Sequence, residues 1–314
     1  MKDLRIIFMG TPDFAVASLK TLLKNDYNIV GVITAPDKPA GRGRKLNQSA
    51  VKKFAVQHNL NVLQPTNLKD PSFLKTLENL QADLQIIVAF RMLPKEVWSM
   101  PKYGTFNLHA SLLPEYRGAA PINWAIINGE TRTGVTTFFL DEKIDTGEII
   151  LQKEIEISPT ENAGELHDKL METGSKLVLE TTELIADNKI STIPQPKKDL
   201  KSAPKLNKEN CRIDWSDSLT NIYNMIRGLS PYPASWSIIN NDGEEIDVKI
   251  YQAEKVVKEH NFEPGKIITD KKELKVAVAK GFIKITSLKI SGKRKMDTIS
   301  FLNGFNFSEK ASMS

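Results

Sequence analysis

The sequence has few of the residues that build disulfides and metal centres. Cys211 is the one cysteine among 314 residues, so no disulfide can form within the chain, which fits a reducing cytosol. The four histidines are widely scattered and no Cys-x-x-Cys pair occurs, so we expect no metal site. No apolar run approaches the ~20 residues that span a bilayer, and the N-terminus lacks a long apolar signal region. We therefore expect a cytoplasmic protein with no membrane segment.

The chain also lacks the glycine spacing of dinucleotide-binding proteins, although it opens as they do. Residues 5–9 form an apolar strand, a helix with Thr11 as its N-cap follows, and residues 29–33 are the next strand. This order predicts a βαβ unit and hence a parallel sheet. Gly10 stands alone at the first turn, without the Gly-x-Gly-x-x-Gly pattern. A nicotinamide or flavin dinucleotide is therefore disfavoured.

Changes in composition predict two domains. Up to residue 189 strands alternate with helices, and the apolar run at 84–90 is typical of a central parallel strand. Residues 190–206 hold three prolines and four lysines, which predicts an interdomain linker. Beyond 207, about five short strands follow one predicted helix, Leu219–Leu229. That spacing predicts a small barrel or sandwich, with an OB-like barrel among the options.

Positive charge is in excess, with a formal net charge of +5. This balance suggests an anionic partner such as nucleic acid, although mildly basic enzymes are common. Residues 36–46 are rich in proline and glycine and predict a mobile loop. Its cations are Lys38, Arg42, Arg44 and Lys45. They either close on a phosphate backbone or are simply solvated, and Lys52 and Lys53 extend the same positive patch.

A second group of cations follows late in the predicted barrel, in the neighbourhood of Trp236 and Tyr232. Its members are Lys271, Lys272, Lys289, Lys293, Arg294 and Lys295. Small barrels bind nucleic acid through cationic faces, but scattered surface lysines explain the same composition equally well.

One stretch, residues 104–118, combines polar side chains with a predicted strand end. Alternation along the strand puts Asn107 and His109 on one side and the apolar residues around them on the other. Sites in open α/β sheets lie outside the carboxyl ends of strands. There an amide N–H can hold a developing oxyanion, and an imidazole can hold it or move a proton. Asp145, in the loop at 140–147, can orient the imidazole. The alternative is structural, because Asn and His on a strand more often satisfy backbone groups.

Several motifs, in this order along the chain, resemble those of the methionyl-tRNA formyltransferase family. They lie at residues 8–15, 37–45, 107–114, 116–118, 145–147, 229–234 and 301–304. The Asn-x-His-x-Ser-Leu-Leu-Pro motif at 107–114 alone resembles any folate-dependent formyltransferase. The N-terminal motif, the basic loop and the C-terminal motifs narrow the resemblance to the tRNA-specific enzymes.

The resemblance implies an α/β fold, in which a Rossmann-like, mostly parallel sheet is followed by a C-terminal OB-like β-barrel. It implies a catalytic domain at 1–189, a basic Pro/Lys linker at 190–206 and a tRNA-binding domain at 207–314. The implied reaction moves the formyl group of 10-formyltetrahydrofolate to initiator methionyl-tRNA for translation initiation. No metal or membrane is implied, and we expect a monomer.

The resemblance also assigns roles to residues of this chain. The implied catalytic residues are Asn107, His109 and Asp145. The implied folate contacts are Ser111, Leu112, Leu113 and Pro114. The basic loop with Arg42, and with it Lys38, Arg44 and Lys45, is the implied contact to the tRNA acceptor stem.

Three alternatives stay open at this point. A glycinamide ribonucleotide or amino-sugar formyltransferase shares the same three polar residues, although the purine enzyme does not need the last hundred residues. Asp145-Thr146-Gly147 is also the tripeptide of aspartic proteases, which need two carboxylates, so such a chain would have to dimerise. The third alternative is a non-catalytic RNA-binding protein.

Overall fold

The computed structural model describes residues 4–40, 45–196 and 200–314 of the protein. Ten strands belong to the first part of the chain. They are β1 Arg5–Gly10, β2 Asn28–Ile33, β3 Lys38–Ala40, β4 Lys45–Asn47, β5 Val62–Leu63, β6 Leu84–Val88, β7 Thr105–His109, β8 Arg117–Gly118, β9 Arg132–Phe139 and β10 Ile149–Glu156. The helices between and after them are α1 Asp13–Lys24, α2 Ala50–Gln57, α3 Pro71–Asn79, α4 Lys95–Trp98, α5 Pro121–Ile127 and α6 Ala163–Ala186.

A seven-stranded sheet with the order β10-β9-β7-β6-β1-β2-β5 organises this part of the chain. Its five strands from β7 to β5 are parallel, and β9 pairs antiparallel to β7. All five residues of β6 are buried, as expected for a parallel strand with both faces covered. The predicted Rossmann-like, mostly parallel sheet is confirmed.

Three local expectations need correction. The helix α1 has Pro12, and not Thr11, as its N-cap, with extended backbone and no side-chain cap. Strand β6 ends at Val88 because Ala89 adopts a φ of +49°, which turns the chain out of the ladder. The expected loop at 36–46 begins and ends as a two-stranded ribbon, β3 with β4, in which Lys38 pairs with Asn47.

The second part of the chain forms a barrel. Strand β11 Ser202–Ala203 precedes the barrel and pairs with β8 in a separate two-stranded sheet. The strands of the barrel are β12 Ser235–Asn241, β13 Glu244–Val257, β14 Ile267–Thr269, β15 Leu274–Val278, β16 Gly281–Ile290, β17 Met296–Asp297 and β18 Ser312–Met313, and the helices of this part are α7 Leu219–Leu229 and α8 Thr298–Leu302. The sheet order is β14-β15-β16-β13-β12-β18. The two ends meet, since Met313 N donates to Gly265 O at 2.8 Å and Ile267 N donates to Ala311 O at 3.1 Å. The sheet is therefore nearly closed, which confirms the OB-like barrel.

The chain divides spatially into two units that do not follow its sequence order. The first takes in residues up to Gly118, Thr133–Ile155 and His167–Ser202, and the second takes in Ala119–Arg132, Glu156–Leu166 and Ala203–Ser314. Strand β18 and helix α8 of the second unit carry no strong sequence pattern and were not expected. The domain boundaries at 189 and 207 stay a prediction.

Helix α7 explains why two early segments belong to the second unit. Gly228 lies so close to α5 that an added Cβ would stand 2.7 Å from Ile127 Cγ1, and Asn123 Nδ2 donates to Gly228 O at 2.8 Å. The buried guanidinium of Arg227 donates to Glu161 O at 2.9 Å. These contacts hold α5 and the residues around Glu161 against the barrel's own helix.

The segment at 190–206 was expected to be a linker, but its described residues up to Ser202 belong to the first unit. Ile193 and Ile149 exchange two backbone hydrogen bonds of 2.9 Å, and Tyr116 N donates to Lys201 O at 2.7 Å. No helix in the described ranges is long and apolar enough to cross a membrane.

Candidate active site

Strand β7 carries Asn107 and His109 on one side. It lies between β6 and β9, with Asn107 opposite Ile87 on one neighbour and Phe138 on the other. The intervening Leu108 is buried. Asn107 is half-buried, and among the described residues nothing hydrogen-bonds to its amide. That amide is therefore available to a ligand.

The imidazole of His109 is held from one side. His109 is buried, and Nε2 lies 2.9 Å from Tyr116 O. Because a carbonyl oxygen only accepts, Nε2 carries a proton and donates it. The second ring nitrogen, Nδ1, faces the carboxylate of Asp145, 3.9 Å from Oδ2. The structure therefore leaves Nδ1 as the ring atom that can act on a ligand.

Asp145 reaches the imidazole from the loop between β9 and β10. Its Oδ2 accepts a hydrogen bond of 3.0 Å from Gly118 N. The 3.9 Å to His109 Nδ1 is longer than a hydrogen bond, so the carboxylate acts on the ring through its charge. The sequence predicted that Asp145 orients the imidazole, whereas the hydrogen bond that fixes the ring is the one to Tyr116.

The loop that carries Asp145 approaches the main chain of β9 so closely that it requires a glycine at position 147. Asp145 has a φ of +55°, and an added Cβ at Gly147 would lie 1.7 Å from Phe139 O. No other residue fits at Gly147. Thr146 Oγ1 donates to the carboxylate of Asp141 at 2.7 Å, which closes the loop from the other side.

Gln195 is a residue that sequence reasoning missed. Its Nε2 donates to Gly147 O at 2.6 Å and to Asp145 O at 3.1 Å. Its Oε1 accepts from Arg117 Nη2 at 2.6 Å. One amide therefore joins the loop of Asp145 to the strand β8 that follows β7. The only sequence signal was a polar residue between two prolines, in a segment interpreted as linker.

The expected folate contacts, Ser111 to Pro114, form a tightly bonded turn after β7. Ser111 Oγ donates to Glu115 O at 2.6 Å. Leu113 is 2% exposed and packs in a small core with Phe138 and Ile149. The side chains of Ser111 and Leu113 are thus occupied by the fold, whereas Leu112 and Pro114 are half-buried.

Two polar side chains that the sequence did not reveal, the buried Thr136 and the exposed Gln152, brace this turn. Thr136 Oγ1 donates to Ser111 O at 2.7 Å and accepts from Leu113 N at 3.1 Å. Gln152 Nε2 donates to Leu113 O at 2.8 Å. Because both come from β9 and β10, the antiparallel edge of the sheet fixes the shape of the turn.

The basic loop is described only in part. Lys38 is exposed, Lys45 has its backbone in β4, and Arg42 and Arg44 lie outside the described residues. Lys52 does not extend the positive patch as expected, because its ammonium group pairs with Asp37 at 2.5 Å. Hydrogen bonds from Gln64 and then Lys52 lower the pKa of Asp37.

The chemical capacity of the group follows from these contacts. At one side of a strand end lie a half-buried amide without a hydrogen-bond partner among residues 4–40, 45–196 and 200–314, and an imidazole nitrogen that faces a carboxylate. Such donors can hold a developing oxyanion, and such a pair can move a proton. In the part of the chain that the structure describes, no group of three or more His, Cys, Asp or Glu side chains is placed to bind a metal.

The comparison with known protein families agrees with a site that can hold an oxyanion and move a proton. The formyl transferase family matches residues 4–182, and the formyl transferase C-terminal domain matches residues 205–306. The chain therefore belongs to the formyl transferase family. This assignment leaves the aspartic protease and the non-catalytic alternatives without support.

Within that family the chain is similar along its whole length to methionyl-tRNA formyltransferases. One from Flavobacterium johnsoniae is 60% identical over 312 residues and covers 99% of both chains. One from Bacteroides fragilis is 54% identical and covers 99% of this chain and 98% of its own.

Solved structures with the same fold are more distant. The N-formyltransferase from Helicobacter canadensis, in complex with folinic acid and dTDP-3-aminofucose, has a TM-score of 0.67 and 22% identity, over 89% of this chain and 97% of its own. HypX from Aquifex aeolicus, in complex with tetrahydrofolic acid, has a TM-score of 0.64 and 20% identity, over 95% of this chain and 46% of its own. At these identities the likeness concerns the fold alone.

Proposed function

We propose that the protein transfers the formyl group of 10-formyltetrahydrofolate to the α-amino group of methionine on initiator methionyl-tRNA. The product is N-formylmethionyl-tRNA for translation initiation, and the protein acts as a cytoplasmic monomer. The observation that carries the proposal is the amide of Asn107, which no described residue occupies, on the same side of β7 as His109, whose Nδ1 lies 3.9 Å from Asp145. The identity of 54–60% to methionyl-tRNA formyltransferases supports the acceptor.

The acceptor amine needs little activation. An α-amino group titrates near pH ~8, so a substantial part is neutral at cellular pH. The neutral nitrogen attacks the formyl carbon and forms a C–N bond, and the carbonyl oxygen becomes an oxyanion. The C–N10 bond then breaks, and the proton lost by the amine ends on N10 of tetrahydrofolate. The enzyme therefore has to align the two substrates, hold the oxyanion and carry one proton.

The site residues divide these tasks. Asn107 donates its amide N–H to the oxyanion, and His109 is the second donor through Nδ1, because Nε2 is occupied by Tyr116 O. One such donor is typically worth ~3 kcal/mol of barrier. Asp145, whose Oδ2 lies 3.9 Å from His109 Nδ1, receives the amine's proton, directly or through water.

Two further segments bind the two substrates. The turn at Ser111, Leu112, Leu113 and Pro114 contacts the folate through its main chain and the half-buried side chains of Leu112 and Pro114. The basic loop, with Lys38, Arg42, Arg44 and Lys45, contacts the phosphates of the acceptor stem.

Acceptor specificity tests the proposal. The protein is incubated with 10-formyltetrahydrofolate in three parallel reactions. Each reaction contains one acceptor: charged initiator methionyl-tRNA, an amino-sugar nucleotide or glycinamide ribonucleotide. We expect formylmethionine after hydrolysis of the tRNA ester and no formylation of the two small amines. Transfer to a small amine without transfer to the tRNA would contradict the proposal.

A further inference from the structure

The two groups that face each other in the candidate active site are held by one short stretch of chain, residues 116–118. Tyr116 O accepts a hydrogen bond of 2.9 Å from His109 Nε2. Gly118 N donates a hydrogen bond of 3.0 Å to Asp145 Oδ2. Because the imidazole and the carboxylate are bonded to main-chain atoms of this one stretch, its backbone sets the 3.9 Å between His109 Nδ1 and Asp145 Oδ2.

The backbone of Tyr116 has a rare conformation. Its φ is +60°, in the left-handed region that a bulky residue seldom adopts, and its side chain is buried. A conformation of this kind persists where neighbouring contacts hold it, and such residues cluster at functional sites. The direction of the Tyr116 carbonyl, and with it the orientation of the His109 ring, therefore depends on the contacts around Tyr116.

Glu115 joins Tyr116 to its surroundings on two sides. The carbonyl oxygen of Glu115 accepts from Ser111 Oγ at 2.6 Å. Glu115 is half-buried, and its carboxylate accepts from Lys201 N at 2.8 Å. Lys201 O in turn accepts from Tyr116 N at 2.7 Å. The side chain of Glu115 and the main chain of Lys201 thus close a ring of hydrogen bonds around the peptide group between Glu115 and Tyr116.

We propose that Glu115 is a positioning residue for His109. Its carboxylate holds the main chain of Lys201, which fixes the backbone of Tyr116. The fixed Tyr116 carbonyl keeps a proton on His109 Nε2 and leaves Nδ1, which faces Asp145, as the atom that takes up or donates a proton. The inference rests on the proposed function, because the orientation of His109 affects formyl transfer only if the imidazole takes part in that reaction.

Formyl-transfer kinetics test the role of the Glu115 carboxylate. Glu115→Ala removes the acceptor for Lys201 N, and kcat should fall about ten- to a hundredfold, since small misplacements of reacting groups have effects of that size. The KM for methionyl-tRNA and for 10-formyltetrahydrofolate should stay within about twofold, because no substrate contact is lost.

Two further variants separate the hydrogen bond from the charge and from general effects of substitution. Glu115→Gln keeps an oxygen that accepts from Lys201 N, so its kcat should stay within about twofold of the wild type. Glu180→Ala removes the same carboxylate from an exposed position of α6 and should match the wild type in kcat and in thermal midpoint.

The protonation of the His109 ring gives a second readout that does not depend on activity. The four histidines are labelled with ¹⁵N, and the signals of His109 are assigned by comparison with His109→Gln. At about pH 8.5, where an unperturbed imidazole is neutral, the wild type and Glu115→Gln should carry the His109 proton on Nε2. Glu115→Ala should show a mixture of the two tautomers.

The two readouts together distinguish the positioning role from the proposed reaction. A tautomer change in Glu115→Ala supports the positioning role even if the wild type does not formylate methionyl-tRNA, and in that case the proposed function alone fails. If the wild type does formylate methionyl-tRNA, an unchanged His109 tautomer in Glu115→Ala refutes the positioning role and leaves the reaction intact. A loss of kcat in Glu115→Gln equal to that in Glu115→Ala would also overturn it.

Discussion

The polar side chains of the candidate active site are of two kinds. Some make hydrogen bonds within the fold, and others are available to substrates. Ser111 Oγ and His109 Nε2 are bonded to main-chain carbonyls. The amide of Asn107 and the Nδ1 atom of His109 have no such bond among the described residues. The sequence predicted Asn107 and His109 as site residues from the alternation of side chains along one strand. Their catalytic roles stay predictions.

Gln195 was beyond sequence reasoning because its partners are main-chain carbonyls almost fifty residues away. Gln195→Leu should remove the donor that holds the loop of Asp145. We expect kcat to fall ten- to a hundredfold, since small misplacements of reacting groups have effects of that size, while KM for both substrates stays within about threefold. The pH profile of kcat should also change, because Asp145 is displaced from His109.

The control for Gln195 is Gln57→Leu, an exposed position on α2. It should match the wild type in kcat and in thermal midpoint. If Gln195→Leu lowered only the thermal midpoint and kept kcat and the pH profile, Gln195 would be a purely structural residue.

Single elements were predictable where local signals agree with the final contacts. Helix α7 has the predicted bounds, since Ser218 caps it by accepting a hydrogen bond from Asn221 N and its apolar face packs on the barrel core. Strand β13, with 14 residues, is longer than the short strands that the sequence predicted, because its second half is stabilised by pairing with β16 and not by its own sequence pattern. Pairing of this kind depends on partners far along the chain.

Helix α7 also carries a test of stability. Arg227 is buried, donates to Glu161 O at 2.9 Å and to Asn224 Oδ1 at 2.9 Å, and burial lowers the pKa of its guanidinium. Arg227→Leu should destabilise the protein by about 2–4 kcal/mol, because it leaves buried acceptors without donors. Denaturant unfolding measures the loss. Arg294→Leu, at an exposed turn, should change little, and an equal loss there would refute the explanation.

The short helix α8 gives a test by pH. Asp297 caps it, and hydrogen bonds from Ser300 N and Ser300 Oγ lower the pKa of the carboxyl group. A carboxyl whose pKa is lowered by folding adds stability above its unfolded pKa, and that stability is lost as pH falls through the folded value. Asp297→Ala should therefore lower the thermal midpoint near neutral pH, and the difference should shrink as the pH falls below the ordinary pKa of an Asp carboxyl. A difference that is constant with pH would contradict this account.

At the scale of the whole molecule, the parallel sheet and the barrel were predictable from apolar runs and strand spacing. The division of the chain into two units was less predictable from the sequence, because α5 and residues 156–166 belong to the second unit through contacts with α7. Sequence order alone does not reveal such contacts.

The net charge of +5 makes salt a probe of the RNA interaction. Arg42→Ala should raise KM for methionyl-tRNA and reduce the salt slope of binding by about one unit, since one phosphate contact is lost. The KM for 10-formyltetrahydrofolate should not change. An unchanged kcat/KM for the charged tRNA would show that the basic loop does not contact the tRNA.

The most direct test compares two His–Asp pairs in the same chain. Formyl transfer to initiator methionyl-tRNA is measured for Asn107→Ala and Asp145→Asn, with Asp168→Asn as the control, because Asp168 pairs with His167 at 2.9 Å on the surface. We predict that kcat falls about 100-fold or more in the first two variants, with KM for the folate nearly unchanged, and stays normal in the control. A near-normal kcat in Asn107→Ala and Asp145→Asn would show that the chemistry takes place elsewhere.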